Sequence, residues 1–208
     1  MARILVVQGD ARAEGTMKQL SQIYIEQMRL RNHEVMLVDL AKLDYDKTLS
    51  KGYQTERTQE MLAVKEFAQE ADLLTFFYPI WFANVPSALK GFIENLFWVG
   101  ETYSFRTKNY LFRGMWRHKK ASIIYSIGGQ EIYHYLFGWS GYRGMRQPLW
   151  LSGIFDIRRT SFANMDRSVR KPDSFYTTKI MALAKRDNQR LTKKPSCSLM
   201  NRKSRTTP

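Results

Sequence analysis

The run Ala71-Asp72-Leu73-Leu74-Thr75-Phe76-Phe77-Tyr78 reads as a buried strand, and Pro79 closes it at once. Seven residues later Pro86 opens a helix-like stretch, Ser87-Ala88-Leu89-Lys90-Gly91-Phe92-Ile93-Glu94-Asn95-Leu96-Phe97. Between the prolines lie Ile80-Trp81-Phe82-Ala83-Asn84-Val85. Apolar runs of this kind are usually core, and a ligand-free turn between strand and helix is the plainer reading. Against it stands the Trp81-Phe82 pair, because a packed core seldom needs two large rings in a loop. Aromatic side chains crowd the carboxyl end of a buried strand, which is where open α/β sheets bind ligands.

The rest of the chain keeps a βα rhythm. Residues 4–7 read as a first strand, and Gly9 to Thr16 as a loop. Leu20, Ile23 and Met28 recur behind that loop at near-helical spacing, with Asn32 and His33 ending the helix. Residues 34–40 read as a second strand, 44–53 as irregular and 58–70 as helical. Lys120–Ser126 is the next strand, ending in Ile127-Gly128-Gly129. A helix near residues 148–154 leads to a last strand over 157–162. Alternation of this kind predicts a three-layer α/β fold, with a central parallel five-stranded sheet and helices on both faces.

At 208 residues the chain suits one α/β domain with an appendage. Its 44% hydrophobic and 13% aromatic content is that of a globular protein. No apolar run approaches the roughly 20 residues of a membrane span, and the N-terminus enters a strand at once rather than a secretory leader. Cys197 stands alone, which excludes an internal disulfide and a cysteine-based metal site and fits a reducing cytoplasm. His33, His118 and His134 are scattered, so no metal site is expected.

The formal charge of +14 divides evenly: residues 185–208 carry +7 and residues 1–184 the other +7. The division predicts a domain over 1–184 and a basic, disordered tail over 185–208. The tail is either a solvated end or a weak electrostatic tether to an anionic surface. It lacks interleaved aromatics, so no specific nucleic-acid binding is expected.

Three segments carry chemistry. In the first loop, Gly9-Asp10-Ala11-Arg12-Ala13-Glu14-Gly15-Thr16-Met17, the glycines allow a tight path and the following helix N-terminus suits a phosphate. Arg12 adds charge, and Thr16 is placed to cap the helix or bind the phosphate. The second segment is Pro79-Ile80-Trp81-Phe82. The third is Ser126-Ile127-Gly128-Gly129-Gln130-Glu131-Ile132-Tyr133-His134-Tyr135, where a Gly-Gly pair lets backbone amides approach a flat ligand edge.

Pro79 to Phe92, with its Val85-Pro86-Ser87-Ala88-Leu89-Lys90-Gly91-Phe92 core, resembles the isoalloxazine-binding loop of the NAD(P)H:quinone oxidoreductase (DT-diaphorase-like) family, which has a flavodoxin-like fold. The Gly128-Gly129 segment resembles the family's second flavin contact. Where the family often has His-Pro and Ser-x-Asn, this chain has Asp10-Ala11 and Gly15-Thr16-Met17. The resemblance implies a flavin, FMN or FAD, held by Gly9, Arg12, Gly15, Thr16, Met17, Pro79, Ile80, Trp81, Phe82, Ser126, Ile127, Gly128 and Gly129. It implies NAD(P)H as hydride donor, a quinone or similar flat acceptor, and a homodimer. Tyr133, or Tyr135, would line the acceptor pocket, and His134 would be a proton donor. Three other readings share the fold: a one-electron flavodoxin carrier, against which the basic core stands, a regulatory subunit of a membrane potassium-efflux system, and a degenerate member that holds no flavin.

Overall fold

A computed structural model describes residues 1–105, 112–166 and 170–192. Five strands form one parallel sheet: β1 (Arg3–Gln8), β2 (Glu34–Asp39), β3 (Leu73–Pro79), β6 (Lys120–Ser126) and β7 (Asp156–Phe162), in the order β2-β1-β3-β6-β7. A short antiparallel pair, β4 (Tyr103–Phe105) and β5 (Phe112–Gly114), stands apart from it. The helices are α1 (Thr16–Arg29), α2 (Gln59–Glu70), α3 (Ser87–Leu96), α4 (Glu131–Leu136), α5 (Ser140–Leu151) and α6 (Asp173–Thr192). The expected three-layer fold is found.

Alternation along the strands builds the two outer layers. Ile4 and Val6 of β1 face one way, with Leu73, Phe77 and Ile124, and are covered by Leu20, Tyr24 and Met28 of α1 and Ile180 and Leu183 of α6. Leu5 and Val7 face the other way, with Phe76, Tyr78 and Tyr125, under Met61 of α2, Leu89 and Phe92 of α3 and Leu149 of α5. Every residue of β3 is buried, as a strand with helices on both sides requires. Thr58 caps α2 through its side chain, which accepts the Met61 N–H.

The register aligns the carboxyl ends of the strands. Gln8 pairs with Asp39 and Phe77, Pro79 with Ser126, and Ser126 with Phe162. Loops after β1, β3, β6 and β7 therefore leave from one edge. The strand order reverses direction between β1 and β3, so a crevice opens there.

Four elements differ from the sequence reading. The β4–β5 pair and α4 carry no pattern long enough to read. Helix α5 starts eight residues before Pro148, because Gly141 and Gly144 disguise it. Gly141 is a glycine for packing: a β-carbon there would stand 2.2 Å from Ile80 Cδ1.

The fourth difference concerns the boundary at 184. Helix α6 continues to Thr192, and its last turns are tied into the core. Asp187 is buried and accepts from Tyr24 Oη (2.8 Å), Ser122 Oγ (2.8 Å) and Arg190 Nη1 (2.6 Å). Arg190 Nη2 also donates to the Asp156 carbonyl and carboxylate, both at 2.9 Å. Residues 185–192 thus belong to the folded unit, since Asp187 and Arg190 are partners of each other and of the core rather than of water. Burial and the Asp187 charge push the Tyr24 phenol well above its ordinary pKa. The remainder of the expected tail, with Cys197, lies outside the described residues. Among the described residues no helix is long and apolar enough to cross a membrane.

Removing one partner of a buried ion pair strands the other, at a cost of about 3–5 kcal/mol. Asp187→Ala is expected to lower the unfolding free energy by that amount in urea titration. A loss under about 1 kcal/mol would show that α6 is not anchored by this network.

Candidate active site

Two loops flank the crevice and touch through one cation. After β3 the chain makes a two-residue turn: Trp81 N–H donates to Asn84 O (3.0 Å) and Asn84 N–H to Trp81 O (2.9 Å). The two central residues, Phe82 (φ 46°) and Ala83 (φ 59°), both lie in the left-handed region. Such turns normally take Asn and Gly, since a β-carbon there costs about 1–2 kcal/mol. The strained pair lifts the Phe82 ring entirely into solvent and leaves Trp81 44% exposed. Strain of this kind persists only where the surroundings fix it. Here Ser140 Oγ at the start of α5 donates to the Ala83 carbonyl, and Asn84 Oδ1 accepts the Val85 N–H (2.8 Å). On the other side of the crevice the Arg12 guanidinium stands 5.6 Å from the Trp81 ring centre.

In the first loop Asp10 pairs with Arg12, which donates through its backbone N–H (3.1 Å), Nε (3.0 Å) and Nη2 (2.7 Å). Hydrogen bonding to Asp10 raises the Arg12 pKa above its already high value. The N-cap of α1 is Gly15, without a side-chain cap. Thr16 is the first helical residue, so of the two roles expected of its hydroxyl the helix cap is not found.

The third loop follows β6. The carbonyls of Ile127, Gly128 and Gly129 accept the N–H groups of Met165, Asp166 and Asn164 at 3.1, 3.4 and 2.8 Å. That fixes the path of Gly128-Gly129 and leaves their own amide protons unclaimed by these residues.

The expected residues fall into two groups. Arg12, Trp81, Phe82, Gly128, Gly129 and Tyr133 are at least partly accessible. Met17 is buried among the α1 core contacts, and Ile80 is buried against α5. Pro79, Ser126 and Ile127 are buried at the strand ends and shape the crevice from below. Three glycines serve the protein's own contacts. A β-carbon on Gly9 would lie 3.0 Å from Leu89 and Tyr78, on Gly15 2.9 Å from Asp10 Oδ2, and on Gly128 2.2 Å from Asp166 Oδ2.

His134 is also placed differently from its expected role. It is 3% exposed, lies edge-on to Tyr125 (5.5 Å) and Trp139 (5.2 Å), and both ring nitrogens are buried without a partner. Burial lowers its pKa, and Arg159 adds to that while Glu131 opposes it. The imidazole is therefore neutral at pH 7 and turned into the protein. Tyr133 and Tyr135 on the same short helix are both more than half exposed.

Asp166 escaped sequence reasoning. It reaches the site from the segment after β7 and adds to the negative field at Arg12. Nothing local in the sequence marks it, because only the strand order brings it there.

The accessible rings and the cation at the switch point suit a flat, anionic ligand such as a flavin nucleotide.

A family model described as flavodoxin-like fold matches residues 2–181. An FMN-dependent NADH:quinone oxidoreductase of Hahella chejuensis is 29% identical over 189 residues, covering 84% of this chain and 89% of that protein. An FMN-dependent NADH:quinone oxidoreductase of Clostridium beijerinckii is 27% identical over 181 residues, covering 80% and 88%. Among solved structures, an FMN-dependent NADH-azoreductase of Bacillus anthracis in complex with FMN superposes with a TM-score of 0.73 at 16% identity, over 93% of this chain and 100% of that one. At that identity the likeness is one of fold.

Relief of one left-handed position is expected to stabilise the chain. Ala83→Gly should raise the unfolding free energy by about 1 kcal/mol in denaturant titration. An unchanged or lower value would show that the turn carries no strain at Ala83.

Proposed function

Because the chain belongs to the flavodoxin-like fold family, we propose that it is a flavin-dependent NAD(P)H oxidoreductase, which uses FMN and NADH to reduce a quinone-type acceptor. The observation that carries this reading is the strained Trp81–Asn84 turn, which holds two aromatic rings open at the switch point beside Arg12. The names of the two curated relatives support the cofactor, the donor and the acceptor class.

FMN, when bound, would supply the hydride chemistry between the nicotinamide and the acceptor. The chain's own residues bind, orient and protonate. Trp81 and Phe82 offer faces on which a flat ring system stacks and from which water is displaced. The amides of Gly128 and Gly129 offer donors to a polar ring edge. Tyr133, exposed on α4, positions the acceptor and donates its Oη proton to the oxygen that gains charge. Burial denies His134 that role, and its ring supports α4 from behind. Nicotinamide and quinone share one open crevice, so they bind in turn.

The working unit is a homodimer. Helix α4 turns only His134 inward, while Ile132, Tyr133, Tyr135, Leu136 and Phe137 are each more than half exposed. An apolar surface of this kind marks an interface, and here a second copy would close the acceptor side of the crevice. The protein acts in the cytoplasm, where NADH is available.

Steady-state oxidation of NADH with a quinone tests the reading. Double-reciprocal lines are expected to be parallel, as alternate binding in one crevice demands, and quinone reduction without added or bound flavin would contradict it. Stacking on an aromatic face is worth about 1–3 kcal/mol. Trp81→Ala is therefore expected to weaken FMN binding about tenfold to a hundredfold in equilibrium titration, with circular dichroism unchanged. Unaltered affinity would remove Trp81 from the site.

A further inference from the structure

The loop between β1 and α1 already holds an anion of its own. Asp10 is 1% exposed although the four residues after it are all exposed. Its Oδ2 accepts from Arg12 Nη2 and stands 2.9 Å from the place a Gly15 β-carbon would take, against the open end of α1. That helix has no acidic residue in its first turn and no side-chain cap. Free N–H groups and the helix dipole draw negative charge to such an end. The negative charge lying there is the protein's carboxylate, and the Nε–Nη2 edge of the Arg12 guanidinium is already spent on it.

We propose that Asp10 is an internal anion standing in for the cofactor's 5′-phosphate, so that this chain grips flavin mainly through its ring and discriminates little between FMN and phosphate-free riboflavin. The inference rests on the flavin reading above and makes Asp10 the residue that sets selectivity for the phosphate. A dianionic phosphate entering the loop either takes the Nε–Nη2 edge of Arg12 from Asp10 or shares the guanidinium with it, and in both cases remains beside the buried carboxylate. Its attraction to the helix end and its repulsion from Asp10 offset each other. Phosphate-free flavin meets neither. Asn at position 10 keeps the shape of the side chain and removes the competing charge, freeing both the helix end and the Arg12 fork.

The test is equilibrium titration of flavin fluorescence with FMN and, separately, riboflavin, for the full chain and for Asp10→Asn. The natural chain is expected to bind FMN no more than about tenfold tighter than riboflavin, and Asp10→Asn to widen that ratio at least about tenfold. Riboflavin affinity should stay within about threefold, which also reports that the variant folds. A natural chain preferring FMN by more than about a hundredfold overturns the proposal, as does an Asp10→Asn ratio that is unchanged or smaller. Binding of neither flavin by either protein overturns the flavin reading itself and the proposal with it. Normal riboflavin binding without an effect of Asp10→Asn sinks only the role of Asp10.

Discussion

Burial of β3 on both faces is the constraint from which the site follows. A strand in which Leu73 through Pro79 are all buried has to lie inside a sheet with helices above and below it. Its neighbours, β1 and β6, are parallel to it, so their loops leave from the same edge. Pro79 ends the strand and Pro86 precedes the next helix, which leaves only a tight turn between them. That turn therefore projects at the point where the strand order reverses, whatever its side chains are. The chain has placed Trp81 and Phe82 on it.

Energetically the site works against its own backbone. Two left-handed residues, neither of them glycine or asparagine, cost roughly 1–2 kcal/mol each, and two rings are left in water. The loss is offset below the turn, where Ile80 packs against Gly141 of α5 and Tyr78 Oη donates to the Gly141 carbonyl (3.0 Å). The rings recover their free energy only when something flat covers them. Polar groups in the same crevice are handled differently: Arg12 is shared between the Asp10 carboxylate and the Trp81 face, with Asp166 nearby. Apolar binding energy is held open, whereas charge is largely satisfied internally.

What was legible in the sequence follows from where local and tertiary signals agree. The run at 71–78 and the bracketing prolines fix β3 and its turn, and Thr58 marks the start of α2 by its capping oxygen. Other features depend on contacts that no local pattern records. Gly128 reads as an opening toward a ligand, yet the space beside it is filled by Asp166, 38 residues further along the chain. His134 reads as a proton donor among aromatics, but a six-residue helix turns it inward and its neighbours outward. The basic stretch after residue 184 reads as a tail because composition cannot show that Asp187 and Arg190 satisfy each other against Tyr24, Ser122 and Asp156.

The central claim is that an aromatic platform on a strained turn binds a flavin able to take electrons from a nicotinamide. Anaerobic absorbance of the FMN-loaded protein, before and after one equivalent of NADH and then of a quinone, tests it most directly. The account predicts that the visible flavin bands bleach with NADH and return with the quinone. Protein-bound flavin that stays oxidised with NADH and with NADPH would contradict it.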